Sequence, residues 1–298
     1  MEPRLSIVIP VRHAPRTIRS TIESALAQCH SYPAEVIAVV SSQDPSAALL
    51  AGFEDPALRV MVVEGKQGVP QLRRNGVLAS SAPLIAIAED HCLFPAGWAE
   101  GLARNIEERH VDVSGGPVGN GRLSIPGWAQ YYSRYTAFLP PGVEAPVATL
   151  PGNNACYRRE ILDRHGRCIV DGFWEAEFND TIRHAGYRFW ISPSLVVKQR
   201  QHRGALEYVP LRYRHGRCYG ARRMATATFA QRRRLLARAP LIAAVLFFRA
   251  LRNVARKPGH RLRFLAVSPL VLAYVCAWAA GEIAGYLTGA GGSCLETD

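Results

Sequence analysis

The chain is predicted to be α/β, with a mostly parallel sheet flanked by helices and a C-terminal basic helical and membrane-associated segment. Three observations carry this. Short apolar runs alternate with helical stretches from Leu5 to Ala88. One run ends in Glu89-Asp90-His91, a clustered acid and imidazole set. Basic residues crowd into 183–263, with 20 Lys/Arg against one acid, Glu207, just before the longest apolar stretch.

The elements follow in order. Leu5–Pro10 is an apolar strand closed by proline. Thr17 to Gln28 is a helix with Ile18, Ile22, Ala25 and Leu26 on one stripe. Glu35–Val40 is a second strand, stopped by the turn composition Ser41-Ser42-Gln43-Asp44-Pro45. Leu58–Val63 is a third. Gln67-Gly68 opens a helix running to Ser80, and Leu84–Ala88 is the fourth strand. Continuous apolar strands separated by helices imply a parallel sheet covered on both faces. Right-handed crossovers put the strands' carboxyl ends on one rim, where ligands bind in open α/β sheets. Ser41, Arg73, Arg74, Asn75 and Glu89-Asp90-His91 are expected to converge there.

The middle is less regular. Gly115–Gly121 reads as a loop or bulged strand. Leu150–Glu160 reads as a turn feeding a helix, and Asp171–Glu177 precedes a helix ending at Gly186. Tyr187–Val197 reads as a strand pair around Pro193.

The net charge is +12 over 298 residues, and it is uneven. A basic block this lopsided calls for an anionic neighbour, either nucleic acid or a membrane surface. Leu241–Phe248 is apolar but too short to span. Phe264 to Gly289 is long enough, with Glu282 its one ionisable residue. Arg252, Arg256, Lys257, Arg261 and Arg263 flank it, which favours an anionic membrane over nucleic acid and a preceding domain on the cytoplasmic side of the inner membrane. His202-Arg203 and Arg212–Arg217 form a further basic set suited to that surface or to an acceptor's phosphates. No apolar leader of the secretory type follows Met1. The seven cysteines show no paired spacing, so free thiols in a reducing cytosol are expected rather than disulfides or a zinc site. Three segments result: 1–200 the α/β domain, 201–260 basic amphipathic helices, and 261–298 an apolar membrane-associated or transmembrane helix and tail.

Two carboxylates and an imidazole suit a hard divalent cation, Mg²⁺ or Mn²⁺, of the kind that bridges phosphate oxygens. Arg73 and Arg74 suit a diphosphate by charge and fork geometry.

The order of motifs resembles that of the family-2 glycosyltransferases. Ser6-Ile7-Val8-Ile9-Pro10 resembles the family's opening strand, and Glu35–Ser42 its second strand and turn. Arg74-Asn75-Gly76 resembles its R-N-x-G element, and Glu89-Asp90-His91 takes the place of its D-x-D metal motif. Gly152–Glu160 resembles its acceptor-side segment. Glu175 to Gly186-Tyr187-Arg188 resembles the helix carrying its catalytic base. Over residues 5–200 the resemblance implies the GT-A fold, a nucleotide-sugar donor, a divalent cation and transfer with inversion. The donor site falls to Pro10, Ser41, Arg73, Arg74, Asn75, Glu89 and Asp90, and the metal to Glu89, Asp90 and His91. The base is Glu175, with Glu177 and Asp171 as neighbours able to replace it. The acceptor side is Asn153, Asn154 and Trp174. With the membrane signal, the acceptor is expected to be lipid-linked or a polysaccharide precursor. This chain departs from the family at Val40, where an acid contacting the base is usual. Ser41, Ser42 and Asp44 stand nearby as substitutes. Gln199 stands where a histidine is often found, with His202 three residues on. The alternatives are a nucleotidyltransferase, whose glycine-rich loop is missing from Val11–Arg16, and a catalytically degenerate binding module.

Overall fold

The computed structural model describes residues 2–201 and 203–297, so His202 lies outside the described residues. In chain order the first elements are β1 (Leu5–Val11), α1 (Ile18–Ser31), β2 (Ala34–Ser41), α2 (Ser46–Leu50), β3 (Leu58–Val63), α3 (Val69–Ala79) and β4 (Leu84–Ile87). Then come β5 (Cys92–Leu93), α4 (Trp98–Glu108), β6 (Val113–Gly115), β7 (Val118–Asn120), α5 (Ile125–Tyr135), β8 (Ala145–Val147) and β9 (Ala155–Arg158). The last are α6 (Arg159–Arg164), α7 (Glu175–His184), β10 (Phe189–Ile191), β11 (Val197–Gln199), α8 (Tyr208–Thr226), α9 (Phe229–Arg238), α10 (Ile242–Ala255) and α11 (Arg261–Thr288).

Two compact units result. The first takes residues up to 121 and 138–201, and the second takes 122–137 with the described residues from 203 onward. The first unit holds an eight-stranded sheet in the order β3-β2-β1-β4-β9-β6-β10-β8 and a three-stranded sheet β5-β11-β7. Strands β1 to β4 are parallel neighbours. The apolar residues of β1 and β4 and Val36–Val40 of β2 are buried, as a sheet covered on both faces requires, whereas the edge strand β3 is only partly covered and exposes Val62.

The sheet is not parallel throughout. β9 runs antiparallel between β4 and β6, and β8 runs antiparallel to β10. The sequence reading of Leu150–Glu160 as a turn therefore missed a central strand: Ala155-Cys156-Tyr157-Arg158 is too short for a periodicity signal. The predicted strand pair around Pro193 is also corrected. β10 joins β6 in the large sheet, and β11 joins β7 and β5 in the small one. Pro193 separates them because it cannot donate to a ladder. Gly115–Gly121 is two short strands with a break at Pro117.

The second unit is helical. α8 and α11 run parallel and touch through glycines spaced four apart. A Cβ at Gly216 would fall 2.1 Å from the Trp278 carbonyl oxygen, and one at Gly281 would fall 1.9 Å from that of Tyr213. Gly220 and Gly285 make equally close backbone contacts one turn on. Small residues at this spacing let helix backbones meet. Glu282 is buried on this seam. It accepts from Arg223 at 2.8 Å and Trp278 Nε1 at 3.0 Å, and from the Tyr286 hydroxyl.

One cysteine expectation is overturned here. Cys218 and Cys294 form a disulfide, with Cα atoms 5.0 Å apart, in reach of a bridge. The two are 76 residues apart in sequence, a separation that spacing arguments do not register. Cys29, Cys92, Cys156, Cys168 and Cys276 are free thiols.

Candidate active site

The site forms where β4 ends. Ala88 N–H still donates to the Val8 carbonyl at 3.0 Å, so the chain leaves the sheet just before Glu89. Cys92 N–H donates to the Glu89 carbonyl, which curls Glu89-Asp90-His91 into a tight turn. All three side chains are buried, at 5%, 8% and 7% exposure. Buried carboxylates must be paired, and these are. His91 Nε2 lies 3.1 Å from Glu89 Oε2, and His91 Nδ1 lies 3.0 Å from Asp90 Oδ1. Burial alone would lower the histidine's pKa. Hydrogen bonds to Asp90 and Glu89, with their charges, outweigh that and raise it to about 9. The two carboxylates thus favour the protonated ring, and a cation bound there would have to displace that proton.

Arg73, on α3, is 3% exposed and joins this trio to a distant carboxylate. One Nη donates to Glu89 Oε1 at 2.8 Å, and the other donates to Glu175 Oε2. Glu175 is the first residue of α7, and its side chain remains 30% exposed. Gly152 makes room for it, since a Cβ there would lie 2.3 Å from Glu175 Cγ. Glu175 is thus one guanidinium away from the trio.

A second set of contacts shapes the loop after β1. Asp90 Oδ2 accepts from Arg12 N–H at 2.6 Å, and its carbonyl accepts from the Thr21 hydroxyl at 3.0 Å. Asp44 accepts from His13 N–H at 2.7 Å and from Ser46 N–H at 2.8 Å. His13 sits at φ 50°, a left-handed conformation uncommon for a non-glycine residue. Two acids therefore pin a strained loop at the strand's carboxyl end. Sequence reasoning did not single out Arg12 or His13, because their role lies in backbone N–H groups.

The other expected residues divide. Arg74 and Asn75 are half-buried beside Arg73, with Arg74 Nη reaching Asn75 Oδ1 at 3.4 Å. Pro10 is buried in β1 opposite Val39. Ser41 donates to the Gly65 carbonyl at 2.7 Å. Asn153 is 1% exposed and donates to Cys92 Sγ at 3.6 Å, directly after the trio. Asn154 does not reach an acceptor surface. It is fully buried, accepts from Trp98 Nε1 at 2.9 Å, and donates to the Pro117 and Leu195 carbonyls at 3.1 and 2.7 Å. It clasps loops together. Trp174 is half-buried at the start of α7. Asp171 and Glu177 are exposed. Glu177 lies about 200° around the helix from Glu175. Gln199 is buried in β11, accepting from Gln201 N–H at 3.2 Å.

Two carboxylates and an imidazole suit Mg²⁺ or Mn²⁺ by donor type, but among the described residues no three such side chains are placed to hold an ion together. In this arrangement the same atoms hold His91 and Arg73, so a cation would exchange against those contacts.

A buried acid cluster at the carboxyl rim of an α/β sheet lies where ligands bind in open α/β folds. The model of glycosyl transferase family 2 matches residues 6–166, more than half the chain, and the protein belongs to that family of glycosyltransferases. Its fold is GT-A. It is similar to the mannosyltransferase PcManGT from Pyrobaculum calidifontis, solved with GDP-Man and Mn²⁺: TM-score 0.55, 18% identity, covering 95% of this chain and 88% of that one. It is also similar to S. aureus TarS 1-349. The TM-score is 0.52 at 16% identity, covering 96% of this chain and 90% of that one. The complex of TarS with UDP-GlcNAc gives 0.55 at 15% identity with the same coverage. No protein of curated function matches the chain.

Proposed function

We propose that this glycosyltransferase moves a sugar from a nucleoside diphosphate sugar to an acceptor hydroxyl with inversion, and that Glu175 is the base. The observation that carries this is Arg73 joining Glu89 to Glu175. One guanidinium spans the gap between the acid cluster at the sheet rim and the carboxylate on α7. A donor whose diphosphate lies at the rim and whose sugar lies toward α7 fits that spacing. Glu175 takes the proton of the acceptor hydroxyl as it attacks opposite the leaving group. Arg73 orients Glu175 and offers its charge to the diphosphate as the donor enters. Arg74 and Asn75 lie beside it as further donor contacts, and the Arg12–His13 loop supplies backbone next to the nucleotide. A divalent cation held by Glu89, Asp90 and His91 would neutralise the departing diphosphate.

The acceptor is a lipid-linked or polysaccharide precursor at a membrane surface. Pro258–Thr288 is long and apolar enough to cross a bilayer by length and composition. Its parallel partner α8, however, carries Arg212, Arg214, Arg217, Arg222 and Arg223. Each arginine at mid-bilayer costs about 2.5–3.5 kcal/mol on insertion scales. The pair is better suited to the interface, with α11's remaining apolar face and that of α10 turned to lipid.

The test uses purified full-length protein with a panel of nucleotide sugars, with and without Mn²⁺. Glu175→Gln is expected to lower turnover by about 10²–10⁴-fold with donor affinity nearly unchanged. His91→Ala is expected to weaken metal-dependent donor binding instead. Equal loss of donor affinity in both variants would overturn the assignment of roles.

A further inference from the structure

The C-terminal tail is tied back onto α8 by one covalent bond. α11 stops before Gly289, whose φ of 73° lies in the left-handed region that favours glycine, and Gly291 repeats this at 52°. The chain turns there and lays a short 3-10 turn, Ser293–Leu295, against α8. Cys294 on that turn is bonded to Cys218, which lies in the middle of α8 and is 1% exposed. The tail covers two arginines of α8. Arg217 Nε donates to the Gly289 carbonyl at 2.9 Å, and one Nη donates to the Thr288 hydroxyl at 3.2 Å. Arg214 Nε lies 3.0 Å from Glu296 Oε2.

These non-covalent contacts hold the tail weakly. The side chains of Arg214 and Glu296 are 47% and 32% exposed, and an ion pair that open to water adds little to stability. Leu295, the large apolar residue of the turn, is 36% exposed. Gly289-Ala290-Gly291-Gly292 leads into the turn, and glycine loses more freedom on ordering than any other residue. The disulfide offsets that cost by tethering the tail where it lies. The other five cysteines are free thiols, so a reductant has a single bond to break. In reducing compartments such bonds are mostly transient or redox-sensing rather than structural.

We infer that Cys218–Cys294 is a redox strap: reduction by a dithiol frees the tail from α8 and presents Arg214 and Arg217 to an anionic lipid surface. The dithiol's thiolate attacks Sγ of Cys294, the half-buried member of the pair, and Cys218 leaves as a thiolate. The dithiol's second sulfur then displaces Cys294. The reductant ends as a disulfide, and both cysteines take up a proton. Glu296 moves off with the tail, which leaves the Arg214 charge uncompensated. In the oxidised form Glu296 neutralises that charge in place. The basic face of α8 thus has two charge states set by one bond. The lipid surface rests on the membrane reading above; the release of the tail does not.

The experiment uses the full chain, oxidised and after reduction with dithiothreitol, with phosphatidylcholine vesicles carrying phosphatidylglycerol. Hydrogen exchange read by mass spectrometry follows residues 289–297, and sedimentation measures partition to the vesicles. Reduction is expected to remove the protection of the tail and to tighten partition about fivefold, the effect of one basic residue near an anionic surface. Raised salt should erase the difference. Cys218→Ser/Cys294→Ser is expected to behave as the reduced protein with or without dithiothreitol. If that variant cannot be recovered folded, Glu296→Gln, with the bond intact, is expected to tighten partition while the tail stays protected. Protection that survives reduction overturns the strap. Equal partition of the two redox states also overturns it, and leaves the membrane reading standing. No partition in either state overturns the membrane reading and the charge switch with it.

Discussion

Arg73 is the residue on which the site turns. It is 3% exposed and lies between Glu89, at 5%, and Glu175. Breaking a buried ion pair by removing one member costs up to about 3–5 kcal/mol, and without Arg73 the Glu89 carboxylate would be left to His91. Arg73→Met is therefore expected to lower the urea midpoint steeply, and the double variant Arg73→Met/Glu89→Gln should recover much of the loss. A double variant no more stable than the single one would show that the two side chains are not coupled. The sequence showed part of this. Glu89-Asp90-His91 stood out because charged residues at the end of an apolar run require a reason, and Glu175 through its motif. The bridge between them was not legible, because Arg73 and Glu175 are 102 residues apart and belong to α3 and α7. Asn154 illustrates the opposite error. Its motif pointed to an acceptor, but an asparagine can also join backbone carbonyls that no strand ladder reaches, and this one does.

Among elements, the parallel strands were readable because four apolar runs between helices leave few topologies. β9 was not readable, since it is four residues long and antiparallel. The α8–α11 seam was also missed. Its glycines register only when both helices are laid side by side, and arginines mask the apolar pattern of α8. The seam makes a sharp prediction. Gly281→Leu would drive a side chain into the Tyr213 carbonyl. The helices must part, opening the Glu282–Arg223 contact, with a loss of about 1–3 kcal/mol or more. Gly259→Ala, where nothing lies within 4 Å of the new Cβ, should stay within about 0.5 kcal/mol. Differential scanning fluorimetry of the two variants decides it: similar melting points would mean that the close approach carries no stability.

At the scale of the molecule, two features bear on where the protein works. The first is the Cys218–Cys294 disulfide, a bond rare in reducing compartments. Alkylation in denaturant without reductant should modify five of the seven cysteines, and reaction of all seven would show a dithiol. The second is the combination of apolar and basic surface on the helical unit. Val245, Phe248 and Leu251 are exposed on α10, and Leu262, Leu265 and Leu272 on α11. Arg249, Arg252, Arg256, Lys257, Arg261 and Arg263 lie among them in sequence. Near an anionic bilayer each basic residue contributes about 1 kcal/mol, and salt screens that part of the attraction. The apolar face adds a contribution that salt does not remove. The protein is therefore expected to sediment with vesicles containing phosphatidylglycerol and to bind neutral vesicles weakly. Retention should fall between 0.05 and 0.5 M salt, as these screening lengths imply. Phe248→Glu with Leu265→Glu should release it at low salt as well. A spanning helix behaves differently, because it survives both high salt and an alkaline wash. Retention through both treatments would show that α11 crosses the bilayer and carries the arginines of α8 with it.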